Sequence, residues 1–290
     1  MKKIRLKANA KVNLSLDVKG RREDGYHELW MIMQSIGLSD IVTIEENCEE
    51  KVNLFGSNLP LPKAEENIAV YAANRLRDEY KIKEGVNIHI EKNIPLGSGM
   101  GGGSADAAAV LLGLDLLWNL GAGEESLMRT GRLLGADVPF AIHGGTAIAE
   151  GIGEKITPLP FFSADLLVIK PKPSILTKTV FQRLDLRKPL KKPDQHLLLD
   201  CIFKGEIRGL ALNMKNVLEE VTEKEICEVA NIKKRLLDCG AAGSMMSGSG
   251  TAVFGIFEDR KSLEKARLVL NREYPQVYSV STARKGVEIV

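Results

Sequence analysis

The sequence predicts an α+β fold in two domains. The first twenty residues alternate apolar and polar side chains as one long strand. A glycine-dense loop joins a second alternating segment to an alanine-rich helix. Beyond it, strands and helices intermix without the regular βαβ rhythm of a doubly wound sheet. At 290 residues the chain exceeds the usual size of one domain. The division is expected between residues 1–158 and 159–290, inside EGIGEKITPLPFF (Glu150 to Phe162), which carries two prolines and two glycines.

In order along the chain, Ile4, Leu6, Ala8, Ala10, Val12, Leu14, Leu16 and Val18 fall on alternate positions, with Lys11 and Asn13 on the opposite, polar face. GRREDGYHELW has turn chemistry. Strands are expected at Leu29 to Gly37 and at Ile41 to Glu45. Residues 65–80 place Ile68, Ala72, Leu76 and Tyr80 four apart, as in a helix. VNIHIEKNI alternates as a strand, and the run after the glycines is a buried helix with Ser104 as its N-cap. EESLMRTGRLL is an amphipathic helix ending near Gly135. In the second half, strands are expected near 166–170, 252–257 and 277–283. Helices are expected near 196–203, 213–220, 226–239 and 261–272.

Composition narrows the function. Forty basic residues against 38 acidic ones give a formal charge of +2, so nothing suggests a nucleic-acid footprint or a basic membrane tail. The most apolar run, Ala107 to Leu120, is too short to span a bilayer and contains Asp115. Four scattered cysteines suit a reducing cytoplasm, the expected location. The histidines have no metal-binding spacing. The expected partners are small molecules, for a monomer or homodimer.

The chemistry is concentrated in IPLGSGMGGGSADAAAV, where five of the seven residues from Gly97 to Gly103 are glycine. Glycines are costly to order, so such a loop serves positive φ or close approach of another group. Opening a helix, it presents converging N–H groups and the positive end of the helix dipole to an anion, with phosphate the first hypothesis. The Lys-Ser/Thr pair of a Walker A loop is missing. Gly97, Gly99 and Gly102 match G-x-G-x-x-G formally, but about 90 residues into the chain and without the following acid, so a dinucleotide-binding dehydrogenase is the weaker alternative.

PLGSGMGGGSADAA resembles the glycine motif of the galactokinase, homoserine kinase, mevalonate kinase and phosphomevalonate kinase (GHMP) superfamily. KANAKVNLSLDVKGRREDGYHEL, LGADVPF and SGSGTAVFG are similar to further segments of one branch, in the same order and spacing. That branch phosphorylates the 2-hydroxyl of 4-diphosphocytidyl-2-C-methylerythritol. Met100, Ala105 and Thr251 depart mildly from its pattern. The resemblance implies a two-domain fold: a nucleotide-binding N-terminal domain like domain 2 of ribosomal protein S5, with a left-handed β-α-β crossover, and a ferredoxin-like C-terminal GHMP domain. It places the active site between them. ATP is the implied donor and Mg²⁺ the expected cation, although no acid pair stands out as its ligands. Another kinase of the superfamily, of homoserine or mevalonate type, is the alternative within the class. A nucleotide-binding regulator without catalysis fits less well, because Lys11 and Asp137 are both present.

Residue by residue, the resemblance implies that Lys11 and Asp137 are catalytic, with Asp137 accepting the hydroxyl proton and Lys11 offsetting charge. Read alone, Asp137 before VPFAI is a helix N-cap. Pro95, Leu96, Gly97, Ser98, Gly99, Met100, Gly101, Gly102, Gly103, Ser104 and Ala105 are implied around ATP, with Asn67 and Lys92 on its adenine side. Tyr26 and His27 are implied to read cytosine, with Phe181 across the base. Asn13, Thr177, Ser247 and Gly248 complete the implied substrate contacts.

Overall fold

The computed structural model describes residues 2–56, 63–186 and 190–290. Eleven strands and ten α-helices are assigned among the described residues. The first half opens with β1 (Lys3–Arg21), β2 (His27–Asn47), β3 (Val52–Gly56), α1 (Ile68–Tyr80) and β4 (Gly85–Glu91). It continues through α2 (Gly102–Leu117), α3 (Glu124–Arg132), α4 (Val138–His143), β5 (Thr146–Gly151) and β6 (Lys155–Pro158). The second half holds β7 (Asp165–Ile169), α5 (Thr177–Arg183), α6 (Gln195–Lys204), α7 (Ile207–Asn213), α8 (Glu219–Glu225) and α9 (Cys227–Asp238). Then come β8 (Gly243–Met246), β9 (Val253–Phe257), α10 (Arg260–Leu270), β10 (Val277–Ser281) and β11 (Val287–Ile289).

The strands form two sheets. The first runs β11-β1-β2-β4-β3, with the β5–β6 hairpin paired to the other stretch of β2. The second is antiparallel and runs β10-β7-β9-β8. Numbered within itself it reads 4-1-3-2, the expected ferredoxin-like order. Sheet membership changes after Pro158, and the last strand then returns to the first sheet. Its residues Ile289, Glu288 and Val287 pair with Leu6, Lys7 and Ala8.

Two expected strands, Leu29 to Gly37 and Ile41 to Glu45, are one strand of 21 residues, β2. The chain does not turn between them: Gly37 and Leu38 are taken up in a β-bulge, where the partner register shifts between Asn9 and Ala10. The bend lets β2 pair with β5 along Leu29–Gln34 and with β4 along Ile41–Asn47. In β1 a second bulge lies between Asn13 and Ser15. Leu6 to Leu14 join one core cluster, and Leu16 and Val18 join the other. Bridges from Leu16 to Asn216 and from Ile36 to Thr282 tie the halves together. The polar residues Asn9, Lys11, Asn13, Ser15 and Asp17 are therefore buried too. The second half covers what would otherwise be a solvated face.

Helix α2 lies against the first sheet because its small residues allow close approach. Ala105, Ala107, Ala108 and Ala109 are all buried, and a Cβ at Gly113 would sit 2.6 Å from Ile44 Cδ1. The helix starts at Gly102 with Gly101 as N-cap, so Ser104 lies inside its first turn and is not the cap. The expected helix over 213–220 is also corrected. Those residues span the end of α7, a non-helical stretch and the start of α8, because Asn216 turns its side chain to a loop and bridges β1. Among the described residues, no helix is long and apolar enough to cross a membrane.

Candidate active site

A cleft of about 430 Å³ opens between the two halves. Its first-half wall is Lys11, Asn13, Lys92, Asp137 and the loop residues Pro95 to Gly99 and Gly101 to Ser104; Thr177, Phe181, Gly248 and Ser249 close it from the second half. The groove continues into a space of about 840 Å³ bordered by Arg21, Tyr26, His27, Lys178 and Phe181. Thr177 and Phe181 border both spaces.

Three glycines of the loop adopt positive φ: Gly97 at 58°, Gly99 at 76° and Gly101 at 70°. At Gly99 the constraint is also one of space. A Cβ there would come within 2.2 Å of the Ser247 carbonyl oxygen, because the second glycine motif (247–250) is stacked on the first. Ser247 Oγ donates to the Gly99 carbonyl at 3.1 Å, and Ala252 N donates to the Ser98 carbonyl at 3.0 Å. Below Gly101 the first turn of α2 points its N–H groups at the cleft, a ready anion cradle.

Lys11 and Asp137 meet beside Gly101. Lys11 Nζ lies 3.4 Å from Asp137 Oδ2, and the side chains are 9% and 31% exposed. The ammonium also donates to Asn13 Oδ1 at 2.8 Å, which pins it over the cleft. Asp137 occupies the N-cap position of α4, but its carboxylate caps no backbone N–H there. The side chain is turned to the lysine and lines the cleft, so it does not serve as the helix cap.

Of the other expected residues, Met100 and Ala105 line nothing in the cleft. Both side chains are buried in the first core cluster, Met100 from the loop and Ala105 from the core-facing side of α2. Asn67 is the N-cap of α1, its side-chain oxygen accepting from Ala69 N at 2.9 Å. Ser247 is buried and acts through Gly99. His27 and Phe181 stack with ring centroids 5.1 Å apart, while Tyr26 is 61% exposed at the rim. Burial, helped by the charge of Arg21, holds the His27 imidazole below its usual range and favours the neutral ring.

Lys92 reaches the cleft floor, with Nζ 3.3 Å from where a Gly102 Cβ would stand. The sequence reading missed what holds it. Its ammonium is bonded to Asp40 and, at 2.7 Å, to Asp106. Asp40 Oδ1 also accepts from Asn93 N at 2.6 Å and Ile94 N at 2.8 Å. Asp106 was visible within the glycine motif; nothing local singles out Asp40. Burial, the largest cause, and the neighbouring Asp40 push Asp106 up to about 8, against the pull of Lys92. This value lies above the unfolded carboxyl range of ~4. The folded protein therefore holds an extra proton between the two values, and this group makes stability fall as pH rises from about 4 to about 8. Asn at 106 mimics the protonated acid. Asp106→Asn is expected to gain melting temperature relative to the parent as pH rises through that window, and the difference should level off above about pH 8. A difference independent of pH would place the proton elsewhere.

Fold and cleft together define a GHMP kinase: the GHMP kinases N-terminal domain family matches residues 67–145 and the GHMP kinases C-terminal family matches 198–276. The chain is 46% identical over 288 residues to the 4-diphosphocytidyl-2-C-methyl-D-erythritol kinase of Clostridioides difficile, covering 99% of this chain and 97% of that one. It is 50% identical over 262 residues to the kinase of the same name from Acetivibrio thermocellus, covering 90% and 92%. A crystal structure of 4-(cytidine 5'-diphospho)-2C-methyl-D-erythritol kinase superposes with a TM-score of 0.83 at 32% identity, over 97% of this chain and 99% of that one. The chain belongs to the 4-diphosphocytidyl-2-C-methyl-D-erythritol kinase family.

Proposed function

We propose that the protein transfers the γ-phosphoryl group of ATP to the 2-hydroxyl of 4-diphosphocytidyl-2-C-methyl-D-erythritol, a step of the non-mevalonate route to isoprenoid precursors. The observation that carries this reading is the Lys11–Asp137 pair beside Gly101, between the glycine cradle and the aromatic groove. The N–H groups of the cradle hold the nucleotide phosphates. The acceptor hydroxyl lies against Lys11 and Asp137. Its O–H bond breaks toward the Asp137 carboxylate as its oxygen bonds to the γ-phosphorus, and the bond from that phosphorus to the bridging oxygen breaks to release ADP. Lys11, fixed by Asn13, offsets charge on the reacting oxygens.

Mg²⁺ would neutralise phosphate charge in this site. Among the described residues no group of three acidic, His or Cys side chains could hold a metal by itself. That donor set suits a cation that keeps water and nucleotide phosphates as ligands. The Ser104 hydroxyl, in the first turn of α2 and lining the cleft, is one protein oxygen that could join them.

The groove beyond Phe181 takes the cytidine, with the His27 edge donating or accepting at the base and Tyr26 offering a stacking face. Tyr26→Ala is expected to raise acceptor KM about five- to 150-fold, as loss of roughly 1–3 kcal/mol of base–aromatic stacking does. ATP affinity measured alone should stay within about twofold, since Tyr26 borders only the outer groove. An unchanged acceptor KM would remove the cytidine from this groove. The reading as a whole is tested by phosphotransfer from ATP to the cytidyl diphosphate acceptor, mevalonate and homoserine. Turnover is expected with the first, and turnover confined to either of the others would overturn it.

A further inference from the structure

The second glycine motif faces the cleft with Gly248 and Ser249, yet what orients it lies behind. Asn216 is buried and its amide is fully engaged. Nδ2 donates to the carbonyls of Met246 at 2.9 Å and Gly248 at 2.7 Å, and Oδ1 accepts from Leu218 N at 3.0 Å. Two neighbouring groups help: Glu219 Oε1 accepts from Met246 N at 2.8 Å, and Thr222 Oγ1 donates to the Ser249 carbonyl at 3.2 Å. The carbonyls of 246, 248 and 249 are thus all drawn toward α8.

That has a consequence for the opposite side of the loop. In a trans peptide the N–H points opposite to the C=O. With the Gly248 carbonyl held by Asn216, the Ser249 N–H is directed away from Asn216, toward the cleft wall. It has no acceptor among the described residues. Gly248, at φ 58°, brings this peptide close to the reacting groups: a Cβ there would lie 3.4 Å from Lys11 Nζ and 3.3 Å from Asn13 Oδ1. Asn216 is itself anchored to the strand that carries Lys11, since Leu16 N donates to the Lys215 carbonyl and Val217 N to the Leu16 carbonyl. Asn216 therefore ties the facing of the 248–249 peptide to the strand that carries Lys11.

We propose that Asn216 is a positioning residue for the acceptor: by holding the 248–249 peptide it presents the Ser249 N–H to an anionic oxygen of the bound diphosphate acceptor, opposite Lys11. This rests on the acceptor lying against Lys11 and Asn13 as proposed above. ATP is served by other donors, in the first turn of α2; the second motif bonds to the preceding loop at Ser98 and Gly99, so the acceptor is expected to lose more than ATP.

The test is Asn216→Asp, which keeps the shape but sets a carboxylate oxygen against two carbonyls. Acceptor KM is expected to rise about 10- to 100-fold and kcat to fall, as misplacement by about 1 Å does. The ATP Kd measured alone should stay within about twofold. Thr222→Val removes only the bond to the Ser249 carbonyl and is expected to raise acceptor KM a few-fold, again without moving ATP; it carries the test if the first variant fails to fold. Acceptor and ATP affinities falling together, or neither moving in a folded variant, would overturn the proposal. A parent enzyme that does not turn over the cytidyl diphosphate acceptor would instead overturn the functional reading beneath it.

Discussion

Asp137→Asn is expected to lower kcat by about 10²–10⁴-fold, the usual loss when a general base is removed. This amounts to about 3–5 kcal/mol of transition-state stabilisation. A loose phosphoryl transition state asks less of the base, which favours the lower end of that range. The structure separates this loss from unfolding. The Asp137 carboxylate caps no helix N–H, and its charged neighbour is Lys11, itself also held by Asn13. Asn fits the same space and keeps an oxygen for the ammonium. The melting temperature should shift by no more than about 3 °C, and ATP affinity by calorimetry should stay within about twofold. Turnover within threefold of the parent would remove Asp137 as the base.

Gly101→Val is expected to abolish measurable ATP binding and cut turnover by at least about 10²-fold. Gly101 sits at φ 70°, a region β-branched residues avoid. Its added Cβ would lie 3.2 Å from Lys11 Cγ and 3.3 Å from Lys11 Cε, so Lys11 must move from Asp137 to make room. The methyl groups would also crowd the mouth of the N–H cradle. Gly103→Ala is the useful contrast. Gly103 lies within α2, and a Cβ there meets nothing nearer than Ile68 Cδ1 at 3.7 Å. It should keep the fold and gain roughly 0.5–1 kcal/mol of helix stability. Normal ATP affinity in Gly101→Val would remove the phosphate from this loop.

Local regularities carried far in the sequence. Alternation from Ile4 to Val18 reads as a strand, and the glycines before an alanine-rich run read as the start of a buried helix; both are present. The motifs also brought Lys11, Asn13, Asp137, Thr177, Phe181 and Gly248 to one cleft. What escaped depends on contacts distant in sequence. Asp40 looks like a turn residue, yet it takes two backbone N–H groups and an ammonium from residues more than fifty positions on. Asn216 looks like part of a helix until its amide is seen against residues 246 and 248. β2 was cut in two because a bulge and a turn use the same residue types. Strand β8 and the three-residue β11 are too short to show a period.

The strand at 287–289 bears on how the protein comes into being. During synthesis the segment containing Lys11 leaves the ribosome long before the neighbour that flanks Leu6 to Ala8, which emerges nearly three hundred residues later. Asn9 waits for the same arrival: its N–H and side-chain amide bond to the carbonyls of Gly286 and Lys285 and to Glu288. Until then the nascent first sheet presents an open edge to the crowded interior of a cell, a template for unwanted pairing. One scission anywhere between the halves would leave that edge to be filled from the other fragment. The two halves are thus stitched at both ends, and a gene fusion that separates them at residue 158 would inherit an unhemmed sheet.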